Sequence, residues 1–175
     1  MKRFGFTMME LIIVIVIGGI LAAVMIPRLE RDPTREAANQ IVRHIQYTQH
    51  LAMVDDVYDA AKPTWTNDRW TIVFDANGYT VSSQQGNVIV ATDPGTQQLI
   101  DSNNAGKFSS FGVTVLLTGS CVTSKSLAFD SFGSPHITAN GAEIAAVCTI
   151  TVSGDRTAVI TVQPKTGYVH LDSVS

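Results

Sequence analysis

The spacing of apolar and polar residues divides the chain into three stretches. From Leu11 to Ile26 there is no polar side chain at all, and the apolar character extends back to Phe6, interrupted only by Thr7 and Glu10. From Ala38 to Ala52 the pattern has a helical period. Ala38, Ile41, Val42, Ile45, Thr48 and Ala52 fall on one face, and Glu36, Gln40, Arg43, Tyr47 and His50 on the other. Beyond residue 60 the period shortens to two: Trp70, Ile72 and Phe74 alternate with polar residues, as do Tyr79 and Val81 after Asn77-Gly78. These periods predict an apolar helix, an amphipathic helix and a set of short strands.

The helices have recognisable boundaries. Asp32-Pro33 is an N-cap followed by proline at the first helical position, and the second helix is expected to end near Asp55. Pro27 removes a backbone donor and crowds the carbonyl of Ala23, so it kinks or loosens the first helix where it meets the second. Gly18 with Ala22 and Gly19 with Ala23 are small-residue pairs four apart, a spacing that lets membrane helices approach closely.

For the strands, Asn77-Gly78 predicts a type I′ hairpin. Further strands are predicted at Val88–Ala91, Val113–Leu117, Ser126–Phe129, Val147–Val152, Ala158–Val162 and Tyr168–Leu171. Ser153-Gly154-Asp155 and Pro164 to Gly167 supply turns between the last three, and residues 93–110 read as an exposed loop. Short strands joined by tight turns favour antiparallel sheets. The expected class is therefore α+β, with a long N-terminal helix packed on an antiparallel sheet or sandwich.

Length turns the first stretch into a membrane candidate. Phe6 to Ile26 is 21 residues, which as a helix reaches about 31 Å, the thickness of a hydrocarbon core. A carboxylate at Glu10 costs about 2.5–3.5 kcal/mol in such a helix unless it finds a partner. No Lys or Arg lies between Phe6 and Pro27. A cation can be made there only by cutting between Gly5 and Phe6, which exposes a new α-amino group. The start is basic, as in a secretory leader, but Val24 to Arg28 makes a poor cleavage site, so the apolar run is expected to stay.

Gly5-Phe6-Thr7-Met8-Met9-Glu10-Leu11 resembles the class III signal of type IV prepilins and type II secretion pseudopilins. The resemblance implies cleavage after Gly5 by a prepilin peptidase and N-methylation of Phe6. It also implies that Glu10 pairs with the N-terminal amine of a neighbouring subunit, and that Pro27 is the helix-kinking proline. The implied organisation is a leader over 1–5, a transmembrane and assembly helix over 6–27, an amphipathic continuation over 28–60 and a periplasmic β-rich body over 61–175. Lys/Arg counts on the two sides of the span do not settle its orientation. The processing signal places the N-terminus in the cytoplasm and the body outside the bacterial inner membrane, in a periplasmic pseudopilus or an extracellular pilus.

The body, with Phe129-Asp130-Ser131-Phe132-Gly133-Ser134-Pro135 and the closing Gly167-Tyr168-Val169, is similar to the GspH/FimT group of minor pseudopilins and minor pilins. The implied function is that of a structural subunit, with a major pilin or a DNA-uptake or adhesive minor pilin as alternatives. The implied partners are other pilin or pseudopilin subunits, the prepilin peptidase, an inner-membrane assembly platform and membrane lipid.

Composition narrows this further. The net charge of −3 becomes −5 once Lys2 and Arg3 leave with residues 1–5. Such a body lacks the clustered Lys/Arg that nucleic acid requires, and Gln163 to Ser175 holds only Lys165 and His170 against Asp172. Nucleic acid is not an expected partner. Cys121 and Cys148, the two cysteines of the chain, are expected to form a disulfide outside the cytoplasm.

No catalytic, cofactor or metal site is expected. His44, His50, His136 and His170 are scattered, and Asp55, Asp56 and Asp59 lack EF-hand spacing and read as a solvated helix end. No Gly-x-Ser-x-Gly, His-Glu-x-x-His or phosphate loop occurs.

Overall fold

The computed structural model describes residues 7–25, 32–55 and 57–175. The chain divides into two compact units, residues 1–32 and 33–175.

The first unit holds helix α1, Met8–Met25. Its side chains from Met8 to Ala23 are all exposed, although nearly all are apolar. Among the described residues no helix is long and apolar enough to cross a membrane. The 18 residues of α1 rise about 27 Å, slightly short of a hydrocarbon core of about 30 Å. Phe6 and Ile26, which would complete the expected span, lie outside the described residues, as do Gly5 and Pro27.

The second unit opens with α2, Pro33–Val54, which begins on its proline and ends one residue before Asp55. Residues 57–60, counted with the helix on sequence grounds, lie outside it. The buried face comprises Thr34, Ala37, Ala38, Ile41, His44, Ile45, Thr48 and Ala52. Five of the six predicted apolar positions are in it; Val42 is only half-buried, and Thr34, Ala37 and His44 widen the face.

Among the described residues nine antiparallel strands follow. They are β1 Thr71–Phe74, β2 Tyr79–Ser83, β3 Ile89–Val90, β4 Thr114–Gly119, β5 Ser126–Phe129, β6 Pro135–His136, β7 Cys148–Ser153, β8 Thr157–Val162 and β9 Val169–Val174. One sheet has the order β3-β2-β1-β5-β6 and the other β4-β7-β8-β9. Helix α2 packs against strands of both sheets. One contiguous core joins Ile41 and Ile45 of α2 to Ile72, Val81, Leu127 and Phe129 of the first sheet and Ile150, Ile160 and Val162 of the second. The architecture is α+β, as the sequence periods predict, and pilin-like, as the resemblance implies.

Two local expectations need correction. The β1–β2 hairpin forms, with Phe74 opposite Tyr79, but its turn is not type I′. That turn needs positive φ at both central residues, and neither Asn77 nor Gly78 has it. Asp75 makes the turn instead, its Oδ1 accepting from the backbone N–H of Asn77 (2.7 Å) and of Gly78 (2.9 Å). Glycine is required at 78 by close approach, since a Cβ there would lie 2.3 Å from the Gly106 carbonyl oxygen.

Residues 93–110 are not a wholly exposed loop. Pro94 to Leu99 are exposed, but Ile100 and Phe108 are buried in the core. Ile100 donates to the Ala91 carbonyl (2.8 Å) and accepts from the Val81 amide (2.9 Å), so the returning chain is stitched into the first sheet.

Candidate functional site: the start of the apolar helix

Helix α1 starts on a cap. The Glu10 backbone N–H donates to the Thr7 hydroxyl at 3.3 Å, and the Leu11 N–H donates to the Thr7 carbonyl at 3.2 Å. Thr7-Met8-Met9-Glu10 has the Thr-x-x-Glu spacing of a capping box, which makes Thr7 the N-cap and Glu10 the third helical residue. A carboxylate there also sits in the positive end of the helix dipole. This local role of Glu10 is additional to its need for a cation. The signal was present in the four residues themselves.

The rest of α1 is smooth where it carries glycine. A Cβ added at Gly18 or Gly19 would meet nothing within 4 Å. With Ala22 and Ala23 one turn later, these positions leave a shallow, uncovered strip on the helix. Glu10, at the other end of the same helix, is exposed.

In the body, the structure joins Cys121 and Cys148 in a disulfide with a Cα–Cα distance of 5.4 Å, within the usual range. Both cysteines are fully buried. The bridge fastens the turn after β4 to the first residue of β7.

The histidines are held in separate places. Buried His44 on α2 meets the Tyr79 hydroxyl through Nδ1 at 2.7 Å, and its Nε2 lies 3.8 Å from Asp93 Oδ1. Gln40 donates to that hydroxyl at 3.5 Å and also to the Ala105 carbonyl. With Tyr79 accepting from Gln40, its own proton goes to His44 Nδ1, leaving Nε2–H toward Asp93. Burial holds His44 below the ordinary imidazole pKa, with the Asp93 charge opposing and that of Arg43 adding. Burial also pushes the Tyr79 hydroxyl up. Burial would raise Asp93 too, but hydrogen bonds from Thr96 and Gly95 outweigh it and hold the carboxyl low. Tyr79 is itself buried. This chain of groups ties α2 to β2 and to the 93–96 turn.

His136 pairs with Asp130 at 3.2 Å and His170 with Asp172 at 2.5 Å. No group of three or more candidate metal ligands exists among the described residues. Asp55 is not simply solvated: it accepts from Trp70 Nε1 (3.0 Å) and Gln85 Nε2 (2.6 Å), and so ties the end of α2 to the first sheet. Asp56 lies outside the described residues.

The Phe129 to Gly133 element has a structural reason. Gly133 (φ 80°) and Gly167 (φ 63°) both need the left-handed region. Gln49 of α2 donates to the Gly133 carbonyl (2.8 Å) and the Thr166 carbonyl (3.0 Å), clipping both turns to the helix. A Cβ on Gly167 would lie 2.5 Å from the Gly133 oxygen and 3.1 Å from the Phe129 ring. Sequence alone did not pair Gln49 with either turn, because the three segments are far apart along the chain.

No curated protein and no solved structure matches the chain. Residues 1–26 match the model of the prokaryotic N-terminal methylation motif, and that match, together with the capped apolar helix and the helix-on-sheet body, supports a type IV pilin-like or pseudopilin subunit.

Proposed function

We propose that the chain is a minor pseudopilin or minor pilin, a structural subunit of the GspH/FimT type made as a prepilin and assembled through its N-terminal helix. The observation that carries this reading is the match over residues 1–26, which covers Gly5, Phe6 and Glu10 together. Cleavage after Gly5 and methylation of Phe6 produce the mature subunit, whose helix over 6–27 is held in the bacterial inner membrane with the body in the periplasm. From there it joins other pilin or pseudopilin subunits on an assembly platform.

The body supports a mechanical role. Its polar groups are spent on holding elements together, as at His44, Asp55 and Gln49. A disulfide suits a periplasmic domain.

Mass spectrometry of native protein from cells with active prepilin peptidase tests the reading. The expected mature end is N-methylated Phe6, and replacing Gly5 by a bulkier residue leaves unprocessed precursor in the membrane. An intact Met1 in wild-type protein, or a mature end after Ile26, overturns it.

A further inference from the structure

We infer that the open edge of β4 is a pairing surface for β4 of a second copy, joining two bodies through one continuous antiparallel sheet. The two edges of the four-stranded sheet differ in a way that selects this one. At the β9 edge the register slips between Val159 and Ile160, so that Asp172 is an extra, bulged residue. Asp172 is charged, pairs with His170 and accepts from the Thr161 hydroxyl. A bulge and a charge at the edge both discourage a further strand. Strand β4, Thr114-Val115-Leu116-Leu117-Thr118-Gly119, has no charge and no proline, and it pairs with β7 through six consecutive residues without a slip. Leu116 in its middle is 63% exposed.

The backbone defines what can cover this edge. Ser120 donates to the Val147 carbonyl opposite it at 3.3 Å. In an antiparallel ladder bonded and non-bonded pairs alternate, so Thr118, Leu116 and Thr114 face β7, while Leu117 and Val115 turn their N–H and C=O groups outward. Val113, of the outward set, already bonds away from β7, to the Phe108 carbonyl at 3.4 Å. A row of outward backbone groups on an uncharged strand takes an extended, uncharged strand as its complement.

Strand β4 is such a complement to itself. A two-fold axis beside Leu116 sets Leu116 against Leu116 of the other copy and Thr114 against its Thr118, all on the outer face. Val115 then lies against the other copy's Leu117 on the inner face. Every facing pair is uncharged, and both copies keep their outer faces on one side, as a continuous sheet requires. The outward groups of Val115 and Leu117 supply about four hydrogen bonds around a close, non-hydrogen-bonded Leu116 pair. Two four-stranded sheets become one of eight. Next to β4 the outer face suits lateral extension, because Thr149 and Thr151 of β7 and Thr157 and Val159 of β8 continue it without charge. This pairing uses the body alone and is independent of the N-terminal helix.

The full chain purified in detergent, with the Cys121–Cys148 bridge verified by peptide mapping, is the test material. Leu116→Cys is expected to give a covalent dimer on mild oxidation, because the facing positions are near neighbours across the axis. Thr151→Cys, one strand further from the axis on each side, sits about 14 Å from its mate and is expected to give none. Leu116→Lys brings two like charges together and is expected to weaken the non-covalent dimer at least about tenfold in analytical ultracentrifugation, with an unchanged unfolding midpoint. Mixing Leu116→Lys with Leu116→Glu is expected to restore it. Three results overturn the inference: a monomeric wild type with no Leu116→Cys cross-link, a dimer that Leu116→Lys leaves intact, or a Leu116→Cys chain that in cells captures a different protein and never its own kind.

Discussion

Helices α1 and α2 are built from opposite relations between composition and burial. Helix α1 is almost entirely apolar, yet every described side chain from Met8 to Ala23 is exposed. Helix α2 carries Arg35, Glu36, Arg43 and His50 and is far less apolar, yet eight of its residues are buried. Within one chain, then, apolarity and burial are uncoupled. The second helix has an amphipathic face and its own domain to cover it. The first is apolar all round, the pattern of a helix suited to lipid or to packing among other helices. Under the proposed function the second is a folding element and the first an assembly element.

The sharpest way to break that contrast is a matched pair of truncations. Ile45 on α2 is 0% exposed and Ile15 on α1 is 65% exposed. Ile45→Ala is expected to destabilise the body by about 2–5 kcal/mol through lost burial and a residual cavity. Ile15→Ala is expected to leave body stability unchanged. Trp65 and Trp70 both lie in the body, so their fluorescence during denaturant unfolding of the full chain reports on it selectively. A comparable loss in the two variants would mean that α1 is part of the folded core.

The disulfide extends the contrast to chemistry, because it acts on the body alone. Replacing Cys121 and Cys148 by serine reopens a loop of 27 residues, and the expected loss is about 3–4 kcal/mol in the chain-entropy model. Thiol labelling of periplasmic protein before and after reductant checks that the bridge forms in cells. Free labelling before reduction would remove this support for a body outside the cytoplasm.

What the sequence made legible follows the same division. The helices were readable because their periods are long and their ends are marked, α2 starting on Pro33 where Asp32-Pro33 predicts it. The long strands were readable because Ile150, Val152, Ile160 and Val162 repeat with a period of two and are buried on one side. The two-residue β6, Pro135–His136, is too short to carry any period. Buried Ile100 and Phe108 sit among turn formers, and only pairing with distant residues, Val81 and Ala91 for Ile100 and Asn77 for Phe108, distinguishes them from a loop. The same applies to His44. Its helical position was readable, but its partners Tyr79 and Asp93 were not, since neither is close in sequence.

That histidine gives a smaller, pH-dependent handle on the body. A buried His44 whose pKa is lowered on folding binds fewer protons than in the unfolded chain. Stability therefore rises with pH wherever the unfolded imidazole is protonated and the folded one is not. The contribution is complete above the unfolded value near 6.5, falls as pH drops below it, and levels off under the folded pKa. Within that window the slope is at most about 1.4 kcal/mol per pH unit. Asp93, whose pKa is also lowered on folding, acts in the same direction but at more acidic pH. Unfolding midpoints between pH 7 and 5 are expected to fall for wild type and to change less for His44→Gln. Equal slopes in the two proteins would show that His44 is not the responsible group.

The smallest energetic effect, and the one closest to function, is expected at Glu10. Two roles converge on this residue: a local one in the first turn of α1, where Thr7 caps the helix, and a proposed intermolecular one, pairing with the α-amino group of Phe6 on a neighbouring subunit. Replacement by alanine removes both at once and cannot tell them apart. Glu10→Gln can, because glutamine retains the shape and hydrogen-bonding reach suited to the third position of a capping box while losing the charge. The charge–dipole term lost within the helix is only about 0.3–1 kcal/mol. Removing a carboxylate from an apolar helix also makes insertion easier rather than harder. Membrane insertion, Gly5 cleavage and body stability are therefore expected to survive in both variants. If the ion pair drives assembly, Glu10→Gln and Glu10→Ala enter sheared or cross-linked filaments at similarly reduced levels. If the cap is what matters, Glu10→Gln assembles like wild type and only Glu10→Ala is impaired. Normal incorporation of both would remove Glu10 from the assembly mechanism and leave recruitment to the body.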